Sequence, residues 1–387
     1  MELTKNKLIL RPLHFTLQWH ITERCNWNCR HCYRPDEPAK KELPLKNLLE
    51  IFKQYLNLLE FLGKSGPHQA RLSLTGGEPL LRDDLFLFLE KIHRHTNRFS
   101  LSILTNGSLI DKECAKRLKN LGVRVVQVSL EGATQQNDYI RSKGAFEKTV
   151  ASLNALGRAG IVTVVSFTIR KSNVLDIPQL IKLCKDMRVS RLGLRRLVPL
   201  GRAQGMPAQL LSPKELRTLY LSIQKEERQL EKEKSPLMLA RGCEEGIFSQ
   251  ETDYPTAACA IAEGRVLVVL PDGDVLPCRR LPIRLGNALE EDLVSLYYNS
   301  KVLTCLRNLN NAHPLCKECP HFNSCLGGAR CVSYAYFHNP YAPDPQCWRL
   351  FDGLPGINSF NKKRSEPEAA IGRISFRLFT GLINEKA

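Results

Sequence analysis

Residues 25–33 read Cys-Asn-Trp-Asn-Cys-Arg-His-Cys-Tyr, which places three thiols, Cys25, Cys29 and Cys32, within eight positions. Spaced so closely, they can converge as thiolates on one point. An iron-sulfur cube normally takes four cysteine ligands, so three from one tight loop would leave an iron free to hold another molecule, and a free coordination site implies chemistry at the metal. Two other readings fit the triplet alone: a zinc-binding loop, although paired Cys-x2-Cys spacing is commoner there, and unrelated buried cysteines in a cysteine-rich chain. A denser run lies far downstream, where Cys316, Cys319, Cys325 and Cys331 are preceded by Cys259 and Cys278 and followed by Cys347. The chain has 14 cysteines, and its first residues, Met-Glu-Leu-Thr-Lys-Asn-Lys, carry no signal-type apolar segment. Cytosolic thiols stay reduced, so this usage points to metal rather than disulfides and to a soluble, cytoplasmic protein.

Stepping from these residues to what must hold them, the chain alternates strand and helix. Strands are predicted over 16–22, 70–74, 99–104, 123–130, 162–169 and 191–198, with apolar-periodic helices between them. Six such units demand parallel strands joined by right-handed crossovers, and they are too few for a closed eight-fold barrel. The expected fold is α/β, a partial (β/α)6 barrel over residues 1–205, then a helical linker over 206–250. A small cysteine-rich α+β domain over 251–350 and a C-terminal tail over 351–387 follow. Ser212 and Pro213 open the linker helix as N-cap and first position, and its charge predicts a solvated connector. Pro271-Asp272-Gly273-Asp274 marks a hairpin, residues 291–306 a helix, and the amphipathic stretch 371–379 of the tail a docking segment.

In such barrels functional groups collect on loops at the C-terminal ends of the strands. The cysteine loop, Thr75-Gly76-Gly77-Glu78-Pro79, Thr105-Asn106-Gly107 and Ser129-Leu130-Glu131 all fall there. Each could be an ordinary turn; adjacent glycines, however, let backbone approach a ligand closely, and Glu78 adds an acceptor for an ammonium group. The Cys-x3-Cys-x2-Cys triplet followed by Tyr33, together with Gly-Gly-Glu-Pro after the second strand, resembles the radical S-adenosylmethionine (SAM) enzymes. The resemblance implies that Cys25, Cys29 and Cys32 hold a four-iron cluster whose free iron chelates SAM. It also implies that Gly76, Gly77, Glu78 and Pro79 hold the methionine amino group and that Tyr33 contacts adenine. Ser129, Arg141 and Ser166 are candidates, by position, for the ribose and carboxylate, with surface or core roles open for the last two.

The downstream cysteines resemble the SPASM extension of the same enzymes, which implies two auxiliary four-iron clusters and three clusters in all. Carried over by position, Cys259, Cys278 and Cys331 serve the first and Cys316, Cys319, Cys325 and Cys347 the second. The interval from Cys325 to Cys331 is longer than is usual in the family. A cysteine usual shortly before Cys259 is missing, which leaves either Cys243 or an open iron for the fourth position. Cys114, Cys184 and Cys305 read as small buried hydrophobes.

The implied activity is reductive cleavage of SAM to a 5′-deoxyadenosyl radical that takes hydrogen from a substrate, with a reduced flavodoxin- or ferredoxin-type electron donor. The first expectation for substrate is a peptide or protein, modified by thioether, carbon-carbon or oxidative chemistry. Arg279 follows Cys278 where sulfatase-maturing members have an aspartate, which argues against that branch, and any leader peptide would need a separate carrier or the cysteine-rich domain itself. The alternative is oxidative decarboxylation of a haem precursor, whose carboxylates would suit Arg195, Arg196, Arg279 and Arg280. An iron-sulfur electron carrier or redox sensor is the non-catalytic reading, and the Gly-Gly-Glu-Pro motif speaks against it. The formal charge of +17 raises nucleic acid as a partner. The excess is scattered without an aromatic-interleaved basic strip, so a solvated surface is expected instead. No run approaches the roughly 18 apolar residues of a membrane span.

Overall fold

The computed structural model describes residues 13–34, 41–64, 68–241 and 259–351. Six parallel strands follow one another in sequence order: β1 (Leu13–Thr22), β2 (His68–Gly76), β3 (Ser100–Thr105), β4 (Val123–Ser129), β5 (Val162–Ile169) and β6 (Arg191–Arg196). The crossovers carry α1 (Leu45–Lys64), α2 (Leu85–Ile92), α3 (Lys112–Asn120), α4 (Thr134–Ile140), α5 (Ala145–Arg158) and α6 (Ile177–Asp186). Along each strand the apolar residues alternate. Phe15, Leu17, Trp19 and Ile21 of β1, Leu72 and Leu74 of β2 and Leu192 and Leu194 of β6 are fully buried under the helices. Trp19 meets Phe88 of α2 edge-on at 5.5 Å. Each such large side chain contributes roughly 1.5–3 kcal/mol of burial, enough to pin the register of its strand. The intervening residues therefore face the inside of the barrel.

An open barrel exposes two strand edges, and two further strands cover them. β7 (Met238–Arg241) pairs parallel to β6, and β8 (Val266–Val269) pairs parallel to β1. β8 continues antiparallel into β9 (Asp274–Leu276) and β10 (Gly286–Asn287), making one ten-stranded sheet. The predicted hairpin forms, but it is stitched to the barrel sheet and not part of a separate layer, because an uncovered β1 would leave a row of unpaired backbone groups.

Two other expectations change. The helix read as a solvated connector, α7 (Pro213–Lys232), has the capping box Ser212/Glu215 but buries Leu216, Tyr220, Ile223 and Leu230, and Tyr220 meets Trp348 edge-on at 6.4 Å. Its charges lie on one face only, which a count of charged residues does not distinguish from charge all round. The single helix expected over 291–306 is two, α8 (Leu293–Asn299) and α9 (Lys301–Arg307). Ser300 breaks the run with extended backbone (ψ 118°) and caps α9 through Leu303 N. Four short helices complete the cysteine-rich part: α10 (Pro314–Lys317), α11 (Phe322–Cys325), α12 (Arg330–Phe337) and α13 (Trp348–Phe351). Cys243 and the tail segment 371–379 lie outside the described residues. Among the described residues no helix is long and apolar enough to cross a membrane.

The two parts are also locked by a buried ion pair. Arg196, at the end of β6, donates to Asp344 through Nη1–Oδ1 at 2.9 Å and Nη2–Oδ2 at 2.7 Å, with both side chains at most 2% exposed. Its Nη1 also reaches Gln346 Oε1 at 2.9 Å.

Candidate active site and iron-sulfur centres

The cysteine loop leaves the C-terminal end of β1 and is held from several sides. Gly77 N donates to Thr22 O at 2.9 Å and Glu78 N to Arg24 O at 2.7 Å. A Cβ on Gly76, whose φ is +152°, would collide with Thr22 O, and one on Gly77 with Arg24 O. The close approach that the glycine pair permits is thus to the backbone entering the cysteine loop. Gly77→Ala is expected to lower stability by roughly 1–3 kcal/mol, since neither backbone can yield cheaply, and a thermal melt of the purified protein checks it. On another side Asn106 Nδ2 donates to Asn26 Oδ1 at 2.9 Å and Asn26 Nδ2 to Ser108 Oγ at 2.8 Å. Arg202 Nε donates to Cys29 O at 2.9 Å, and Gly201, at φ +55°, packs its backbone on Tyr33 and Arg34. The glycine- and proline-rich stretch 199–207 that follows β6 is therefore also a wall of the site.

Glu78 is fully buried. Its Oε2 accepts from Asn106 N at 2.8 Å, and its Oε1 from Thr105 Oγ1 at 2.7 Å and Leu80 N at 3.2 Å. Burial pushes its carboxyl up to about 7 against the pull of those hydrogen bonds. The side chain read as an acceptor for an ammonium group thus first ties the β2 loop to the β3 loop, with acceptor capacity left on Oε2. Pro79 opens the short 3-10 turn Pro79–Leu81.

Glu131 anchors a second network. It accepts from Arg141 Nη2 at 2.6 Å and Thr168 N at 2.8 Å, and its Oε1 lies 3.1 Å from His31 Nε2. Burial opposes its ionisation, but His31 and Arg141 outweigh burial and hold the carboxyl below the usual range. Arg141 Nη1 is 3.7 Å from Cys29 Sγ. Arg141, assigned by position to a SAM contact, is thereby turned to the cysteine loop, where its charge favours a thiolate. Ser129 and Ser166 are paired in register on β4 and β5, half-buried on the inner face at the rim.

Tyr33 stands between two cysteine sets. Both Cys32 and Cys278 act on its phenol electrostatically, its ring lies 6.4 Å from that of His20, and the Arg279 guanidinium is 5.5 Å from its centroid. Cys278 shares an apolar cluster with Cys259, Cys331, Val198 and Leu281. The longer interval before Cys331 is taken up by three consecutive left-handed residues, Leu326, Gly327 and Gly328, with φ of 53°, 88° and 83°. They turn the chain so that Cys331 packs in the same cluster as Cys259 and Cys278. The second set, Cys316, Cys319, Cys325 and Cys347, lines one cavity together with Asp344 and Gly328. Four thiols around one such space are the donor set of a four-iron cluster. Among the described residues no three His, Cys, Asp or Glu close on one point as a lone metal ion requires. Burial pushes the Cys316 and Cys325 thiols up to about 12, so a bound metal must supply the drive to ionise them. Cys184 and Cys114 pack in the barrel core, as small hydrophobes do, and Cys305 is half-buried on α9.

The six barrel strands carry one sign of charge, while the acids Glu78 and Glu131 stand on the loops at the C-terminal rim. None of the six strands contains Asp or Glu, while Arg71, Arg191 and Arg195 sit at positions alternating with the buried apolar residues. The Arg195 guanidinium lies over Gly193 on this face. Partial burial, and then the charge of Arg191 on β6, lower the affinity of Arg71 for its proton, and both residues keep solvent exposure near the N-terminal ends of their strands, the end opposite the cysteine loop. Of the four arginines singled out for substrate carboxylates, Arg196 is excluded because Asp344 and Gln346 occupy it. Sequence reasoning quoted Asn106 and Glu131 only as parts of turn motifs and did not single out His20, His31 or Arg202. His31 lies inside the triplet and His20 two residues before the end of β1, signals available from position; nothing local marks Arg202.

The family model described as the radical SAM superfamily matches residues 19–184, and that of the iron-sulfur cluster-binding SPASM domain matches residues 259–320. The chain is 29% identical over 357 residues to an Fe-coproporphyrin III synthase of Methanosarcina barkeri, covering 85% of this chain and 86% of that one. It is 29% identical over 348 residues to an AdoMet-dependent heme synthase of the same organism, covering 86% and 95%. In fold it is similar to anSMEcpe solved with bound AdoMet (TM-score 0.71, 18% identity, 95% of this chain and 98% of that one). It is also similar to Streptococcus suis SuiB bound to its precursor peptide SuiA (TM-score 0.68, 17% identity, 87% and 76%).

Proposed function

We propose that this chain, a radical SAM enzyme with a C-terminal SPASM domain, acts on a tetrapyrrole and removes carboxylate groups of its side chains as carbon dioxide. The observation that carries this reading is the charge of the barrel strands, which contain no acid and carry Arg195 half-buried on the inner face, with Arg71 and Arg191 solvent-exposed toward the N-terminal end of the same face. Such a lining attracts a molecule bearing several carboxylates. The two relatives named for haem and Fe-coproporphyrin III synthesis, each matched over most of its length, support the same substrate class. The peptide or protein substrate expected first is supported only by a shared fold, and one fold serves many substrates.

A four-iron cluster on Cys25, Cys29 and Cys32 would supply the electron for reductive cleavage of SAM, and conversion of a substrate propionate to a vinyl group would give up one hydrogen atom, carbon dioxide and one electron, for which an auxiliary cluster would be the acceptor. The chain's own residues position and shield this chemistry. Cys25, Cys29 and Cys32 are the ligands of the SAM-binding cluster, with Arg141 balancing charge at Cys29. Gly76, Gly77 and Glu78 brace the loop and face the methionine end, and Ser129 and Ser166 offer hydroxyls at the rim for the ribose. Tyr33, which stands between the two cysteine sets, would contact the adenine. The helix-backed walls keep water from the radical. Cys259, Cys278 and Cys331 hold the first auxiliary cluster and Cys316, Cys319, Cys325 and Cys347 the second.

The test is incubation of anaerobically reconstituted protein with SAM, dithionite and either Fe-coproporphyrin III or Fe-uroporphyrin III, which offer propionate and, in the latter, also acetate side chains. Mass spectrometry is expected to show carbon dioxide lost from the porphyrin in step with 5′-deoxyadenosine. Formation of 5′-deoxyadenosine with both porphyrins intact would overturn the reading.

A further inference from the structure

A buried cationic corner lies beside the cysteine loop and no residue described so far neutralises it. His20 is 4% exposed on the inner face of β1, and its Nε2 has no partner among the described residues. Arg34 follows Tyr33, and its Nη1, also buried and without a partner there, lies 2.5 Å from the Cβ position of Gly77. Arg279 approaches from the end of the β9 segment, 5.5 Å from the Tyr33 ring that faces His20. Among the described residues neither arginine has an ion pair with an acid. The surroundings of His20 bear the charge out: burial, then Arg279, then Arg34 lower its imidazole to about 3. It is therefore neutral at physiological pH and offers a hydrogen bond without adding a third positive charge.

We propose that Arg279, Arg34 and His20 form a carboxylate pocket that holds one acid group of the substrate next to the cysteine loop and fixes which side chain reacts. Two guanidinium groups near one neutral imidazole suit a carboxylate, which can take charge-assisted hydrogen bonds from both cations. Leaving buried polar hydrogens unpaired is costly, so the pocket gains most from an anion that fills it. That the acid is a propionate rests on the tetrapyrrole reading. The methionine carboxylate of SAM has the same chemistry. Arg279, however, comes from the cysteine-rich part and not from the Gly-Gly-Glu-Pro loop, which favours the substrate as its source.

The experiment titrates reconstituted protein with Fe-coproporphyrin III, followed by its Soret band, and separately with SAM by equilibrium dialysis, for wild type, Arg279→Gln and Arg279→Lys. Arg279→Gln is expected to weaken porphyrin binding about tenfold or more while SAM binding stays within about twofold, with Arg279→Lys recovering part of the loss. The amide of the same porphyrin, lacking carboxylates, should be indifferent to the substitution. Arg279 is only half-buried; if Arg279→Gln fails to fold, Arg34→Gln is read by the same criteria. Unchanged porphyrin affinity in the folded variant overturns the pocket and leaves the tetrapyrrole reading standing, and a loss confined to SAM assigns the carboxylate to SAM and overturns it too. Wild type that cleaves SAM but binds no porphyrin removes the tetrapyrrole reading, and the pocket as a propionate site with it.

Discussion

Cys29→Ala reduces 5′-deoxyadenosine formation to background in anaerobically reconstituted protein supplied with dithionite and SAM. Among the three thiols of the loop, Cys29 has the closest electrostatic support, from Arg141 at 3.7 Å, and its carbonyl is gripped by Arg202 at 2.9 Å. Without its sulfur the loop keeps two ligands and an arginine charge facing no thiolate. The three four-iron clusters proposed above predict about twelve irons per chain in the wild type and about eight in the variant, because the auxiliary ligands come from other segments. Iron analysis alongside the cleavage assay separates the outcomes. Full iron with undiminished cleavage would contradict the ligand assignment; loss of all iron would mean that the auxiliary sites do not form independently.

Asp344→Asn lowers the stability of the protein by about 3–5 kcal/mol, because it leaves the buried Arg196 guanidinium without a counter-charge. In the wild type Asp344 accepts from both terminal nitrogens of Arg196 and from the backbone N–H of Ala329 and Gln346. Burial alone would raise its carboxyl, but Arg196 and these hydrogen bonds outweigh it and hold it below the usual carboxylate range. A lowered folded value means that the unfolded chain takes up the proton first. The stabilisation is therefore complete above the ordinary aspartate value, near pH 4, and is lost as pH falls through the depressed folded value. Chemical denaturation at neutral pH measures the loss. The same series in acid should show a shallower decline for Asp344→Asn than for wild type, and parallel declines would remove the ion pair as the cause. Asp344 also lines the cavity of the second auxiliary set, so the variant's iron content reports whether that site survives.

Much of the molecule was legible in order along the chain. The six strands and the cysteine triplet are carried by residues close in sequence: strand alternation repeats every second residue, and the three thiols share one turn of loop. The Gly-Gly-Glu-Pro motif was visible too, although the reason for its glycines was not. They make room for Thr22 and Arg24, some fifty residues away, as the register of β1 against β2 requires. The buried face of α7 is not legible from its charge content, because that content does not say which face carries the charges.

The sequence by itself determined which thiols are available, how they are spaced, and that strand and helix alternate in a way that needs a partial barrel. Only the tertiary structure decided what the arginines do. Arg196 and Arg279 both read as partners for a substrate acid, yet one is bound to Asp344, 148 positions away, while the other stands over Tyr33. Arg202 reaches the cysteine loop across 173 positions, and β8 covers the edge of β1. Periodicity and spacing are written by neighbours along the chain. Which charge meets which depends on where sheet closure brings distant segments together, and that follows from the packing of the whole core.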